Sequence, residues 1–76
     1  MPCWVSFPVI PGASYVQIKD PDITNTSRIE IAKVTADTRD ATVSKQAEGR
    51  CTITFKEPVR QQQYVRYCVR NSAGTA

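Results

Sequence analysis

Residues 43–55 read VSKQAEGRCTITF. In the second half, Cys51, Ile53 and Phe55 take every second position and threonines fill the places between them. Successive side chains of an extended backbone point to opposite faces, so this alternation is the pattern of a half-buried strand. Branched and aromatic side chains suit such a pleated surface. Just upstream, QAEG places Gly49 where a hairpin loop needs a positive φ, which glycine adopts without steric cost. Val43 marks the strand that enters the turn.

The same period continues in both directions. Val5, Phe7 and Val9 alternate in CWVSFPVI, Val16 and Ile18 in YVQIK, and Ile29 and Ile31 in RIEIAKV. Val65, Tyr67 and Val69 alternate in YVRYCVR, and no window carries an apolar repeat at helical spacing. The connections PGAS, DPDITNTS and TADTRD combine proline-set dihedrals with short polar side chains that bond their own backbone. The expected fold class is all-β, a small antiparallel β-sandwich or partly open barrel of about six short strands.

With 76 residues, the chain forms a single domain over 1–76, near the size at which folding alone is marginal. Pro8 cannot donate to a strand ladder, so residues 1–13 form either an edge strand or a proline-rich arm laid across a neighbour. NSAGTA, residues 71–76, has the composition of a flexible tail. Domains this small lean on disulfides, a metal or a partner. Cysteines at 3, 51 and 68 cannot all pair within one chain, which favours reduced thiols. Parity puts Cys51 with Ile53 and Phe55 as a core residue. Cys68 falls with Tyr64, Arg66 and Arg70, so a Cys51–Cys68 bridge would need a bulge or another sheet closure. With no histidine and no Cys-x-x-Cys pair, neither a metal nor another cofactor is expected. Self-association or binding to a larger assembly is left.

Catalytic chemistry finds few candidates. Without histidine, the common proton shuttle and the usual serine and cysteine triads are missing. Asp20 with Asp22 and Asp37 with Asp40 lie in turns, where aspartate bonds local backbone. DPDITN begins like a calcium loop, but the sixth position is Asn25 and the distal glutamate position is Ile31. NTS at 25–27 fits a glycosylation acceptor, yet the first thirteen residues resemble neither a secretory signal nor a membrane span. A soluble, non-enzymatic protein is expected.

The net charge of +3 is uneven, since residues 45–76 carry six basic and two acidic groups while residues 1–44 carry four and five. Tyr64, Arg66 and Arg70 interleave aromatic and basic side chains on one face of the last strand. They form a base-stacking surface too thin to make nucleic acid the expected partner.

From Asp22 to Asn71 the chain resembles the small β domains of bacteriophage virion accessory proteins, in DITNTSRIEI, TADTRDATV, GRCTITF and YVRYCVRN. Such proteins decorate and cement heads or cap tail fibres and spikes. The resemblance implies a non-catalytic capsid decoration protein, made in the host cytoplasm and located in the virion. It would form a homo-oligomer, a trimer by preference, and bind the major capsid protein. The alternative is a receptor-binding domain at a tail fibre tip, and a nucleic-acid-binding β domain ranks below it. An oligomer face is expected among Trp4, Phe7, Ile10 and Tyr15, although Trp4 and Phe7 could equally close the chain's own core. Arg66 and Arg70 would take carboxylates of the shell protein as bidentate partners, with Tyr64 beside them.

Overall fold

The computed structural model describes residues 3–71 and the backbone of 74–75. In chain order the strands are β1 (Val5–Val9), β2 (Tyr15–Lys19), β3 (Arg28–Ile31), β4 (Thr42–Ala47), β5 (Arg50–Thr54), β6 (Gln63–Asn71) and the two-residue β7 (Gly74–Thr75). The fold is all-β and every strand pairing is antiparallel. The expected sandwich is found as two open sheets. Sheet A has the order β1-β6-β3, with β7 paired to the end of β6, and sheet B has the order β2-β5-β4.

Alternation does place the core. Val65, Tyr67 and Val69 of β6 meet Val9 and the partly buried Phe7, Ile29 and Ile31 from its neighbours. They pack in one cluster with Val16, Ile18, Cys51, Ile53 and Phe55 from the sheet B side. Three further apolar core residues come from connections: Ile23, Ala41 and Val59. Their backbones are tied down. Gly12 N donates to Val59 O at 2.8 Å and Val59 N to Ala13 O at 2.9 Å, closing one end of the sandwich. At the other end Asp20 N donates to Gly49 O at 3.0 Å and Gly49 N to Ile23 O at 2.8 Å. Gly49 has φ 78°, as the hairpin requires.

β1 settles the question raised by Pro8. It is an edge strand paired to β6, with Val5 opposite Tyr67 and Pro8 opposite Tyr64. Of the expected tail, Asn71 belongs to β6 and Gly74–Thr75 form β7. Met1, Pro2 and positions 72, 73 and 76 lie outside the described residues.

The expectation of reduced thiols is corrected. Cys3 and Cys68 form a disulfide with Cα atoms 5.2 Å apart, and Cys51 is the buried free cysteine. The reason lies in the register. Cys51 faces the core from sheet B, whereas Cys68 faces away from it on sheet A, so the two thiols are on opposite sides of β6. Pairing Val5 with Tyr67 instead carries the segment before β1 alongside Cys68. Despite its outward parity, Cys68 is fully buried with Cys3 bonded to it.

Candidate functional site

The outer face of sheet A is built from the positions that the core does not use. β6 presents Tyr64 and Arg66 there, with Ser6 opposite Arg66 and Pro8 opposite Tyr64 on β1. Trp4, immediately before β1, lies under the Arg66 guanidinium at 5.8 Å from the ring centroid, a cation–π contact. Tyr64 is 62% exposed and Trp4 36%. Arg66 has no carboxylate partner among the described ion pairs. Farther along the same face Arg28 stands opposite Arg70, and Arg70 Nε donates to Glu30 Oε1 as an ion pair.

The face expected from Trp4, Phe7, Ile10 and Tyr15 does not come together. Phe7 turns inward against the core, Ile10 is exposed at the end of β1, and Tyr15 stands on the outer face of sheet B. Parity explains each placement: Phe7 is in phase with Val9, while Tyr15 is out of phase with Val16 and Ile18. Tyr64 and Arg66 do share the outer face of sheet A, joined by Trp4. Arg70 is there too, but its guanidinium is engaged by Glu30 of its own chain.

The two ends of the sandwich are occupied by internal hydrogen bonds. Asp20 Oδ1 accepts from Asp22 N at 2.9 Å, and Asp20 Oδ2 accepts from the Tyr67 hydroxyl at 3.0 Å. Ser27 Oγ donates to Asn71 Oδ1, while Asn71 Nδ2 donates to Asp22 O at 3.1 Å. Gln46 Nε2 reaches Thr24 O and Ser27 O, both at 2.7 Å. At the opposite end Asp37 Oδ2 accepts from Arg60 N at 3.2 Å and Gln63 Nε2 at 2.9 Å. Thr35 and the fully buried Thr38 bond each other. These aspartates hold turns together.

Two buried groups have displaced protonation equilibria. Burial, and then the hydrogen bond to Asp20, push the Tyr67 phenol well above its ordinary range. Burial pushes the Cys51 thiol up as well, with the Asp20 carboxylate adding to it. A thiol raised in this way is a poor nucleophile at neutral pH.

Sequence reasoning missed a second surface, on the outside of sheet B. An open depression of about 660 Å³ is lined there by residues that include Gln17, Lys19, Lys45, Arg50 and Thr52. Lys45 and Arg50 lie on the two arms of the β4–β5 hairpin and Lys19 comes from β2, more than twenty residues earlier, so no local run of charge signals it.

Compared with known proteins, the chain matches no family model, no curated protein and no solved structure. The resemblance to virion accessory domains thus rests on the residue pattern alone.

Proposed function

We propose that the chain is a non-catalytic structural protein of a virion, a capsid decoration protein that associates with copies of itself and docks on the shell. The observation that carries this reading is the Trp4–Arg66 stack beside Tyr64 on an open sheet face. Each ring offers on the order of 100 Å² of further burial, about 2–3 kcal/mol per ring at the usual coefficient. Aromatic and arginine side chains are the groups that anchor protein interfaces. Arg66 keeps a planar donor fork for a carboxylate of the shell, whereas Arg70, already paired with Glu30, orients the strand around it.

The end loops favour a shell over a receptor at a tail tip. A glycan needs side-chain donors and acceptors that are free to turn toward it. Here Asp20, Ser27, Asp37, Gln46, Gln63 and Asn71 are engaged in tying loops to strands.

Co-sedimentation with shells assembled from a capsid protein encoded in a neighbouring reading frame tests this function. Binding that survives Ile10→Ser but is lost in Trp4→Ala/Tyr64→Ser is expected. Neighbouring frames without any virion protein, or shells that leave the chain in the supernatant, would remove the reading.

A further inference from the structure

We propose that the outer face of sheet B binds the phosphate backbone of a nucleic-acid strand. Outward positions on this sheet are Tyr15, Gln17 and Lys19 on β2, Arg50, Thr52 and Thr54 on β5, and Lys45 among those on β4. None of the outward strand residues is acidic. Lys19, Lys45 and Arg50 are exposed and enter no ion pair among the described residues. The nearest carboxylates in sequence form no ion pair with them. Asp20 is turned to Tyr67 and to Asp22 N, and Glu48 in the hairpin turn forms no ion pair.

Two features set this patch apart from an ordinary solvated face. Lys19 lies directly opposite Arg50 across the β2–β5 ladder. Like charges so placed, with Cβ atoms about 5 Å apart, destabilise a sheet. Conflicts of that kind are expected where function requires them. Lys45 is outward because of a β-bulge between Val43 and Lys45. Strict alternation from the inward Val43 would have sent Lys45 into the sandwich. The extra residue turns it out beside Thr52 and turns Gln46 inward to its two carbonyls. Bulges re-aim side chains in this manner beside functional sites.

The three cations form a diagonal row across β2, β5 and β4, spanning about 10 Å at the ordinary spacing of strands. With phosphates about 3.4 Å apart along the axis of one strand, the row reaches two or three of them. Ammonium groups are compact point charges that match phosphate oxygens without the planar register a carboxylate prefers. Gln17 and Thr52 line the same depression with neutral donors, and Tyr15, 57% exposed, stands on the face as a ring on which a base can stack. This surface is on the opposite side of the sandwich from Trp4 and Tyr64, so it is independent of the shell-docking proposal.

The test is fluorescence anisotropy of a labelled single-stranded oligodeoxythymidine with the full chain, titrated from about 50 to about 200 mM salt. Neutralisation of three phosphates predicts a slope of log affinity against log salt of about −2. Lys19→Gln/Lys45→Gln/Arg50→Gln, checked for native folding by its amide spectrum, should weaken binding at least tenfold and flatten the slope, while Trp4→Ala/Tyr64→Ser should bind as the parent does. No binding at the lowest salt, equal binding by the folded triple variant, loss of binding in Trp4→Ala/Tyr64→Ser, or equal competition by polyglutamate would each overturn the proposal. Failure of shell docking would instead appear as a parent chain that stays in the supernatant of the shells, and would leave these anisotropies unchanged.

Discussion

Tyr67 shows how one residue joins the two sheets. Its ring fills the core from β6, and its hydroxyl crosses to Asp20 at the end of β2. Because the folded phenol holds its proton beyond the ordinary value of about 10, this group carries one proton in both folded and unfolded chains below that pH. Above it the unfolded state has lost a proton that the native state keeps, so stability falls as pH rises. Urea midpoints measured from pH 8 to 11 should therefore decline in the parent chain, first through Cys51 from its ordinary value of about 9 and more steeply above about pH 10 through Tyr67, and decline less in Tyr67→Phe. That variant should also lose about 1 kcal/mol at neutral pH, through one missing buried hydrogen bond. Cys51 gives a second check: native protein at neutral pH should resist a maleimide that labels it fully in denaturant. Parity alone placed both Tyr67 and Cys51 in the core. That Asp20 would meet Tyr67 was not legible, since the two are joined only once the loop after β2 folds over the hairpin end.

At the scale of elements, the strands were legible because period-two alternation is a local property. The connections were not. Ile23, Ala41 and Val59 sit in polar or proline-containing segments without a period, and only closure of the sandwich ends buries them. The bulge in β4 was equally hidden, because VSKQA contains neither glycine nor proline to mark it. The disulfide depends on a register that no sequence pattern states. Cys3 and Cys68 are 65 residues apart. Closing a loop of that length restricts the unfolded chain by about 4 kcal/mol in the chain-entropy picture. Cys3→Ser/Cys68→Ser should lower the urea midpoint accordingly, and a reductant should do the same to the parent but not to the variant. Gly49→Ala is predicted to cost about 1 kcal/mol, because its φ of 78° strains any residue with a Cβ. An unchanged thermal midpoint for Gly49→Ala would show that the hairpin relaxes to another turn.

The whole molecule is a thin two-layer body with outer faces of different character. Sheet A carries rings with the Arg66 guanidinium stacked among them, and the outward strand positions of sheet B carry cations and no acidic residue. Inward residues were assigned correctly from their period, whereas the residues expected to form one apolar face were divided among the outside of sheet A, the core and the outside of sheet B. Faces of a sandwich are fixed by strand order, which alternation does not encode. Self-association through sheet A is the claim on which the functional account depends. Sedimentation equilibrium over a concentration series up to about 100 μM, within the range of weak protein interfaces, tests it most directly. The account predicts an apparent mass that rises above the monomer with concentration, and stays at the monomer in Trp4→Ala/Tyr64→Ser. A parent chain that remains monomeric throughout, or a variant that associates as strongly as the parent, would contradict it.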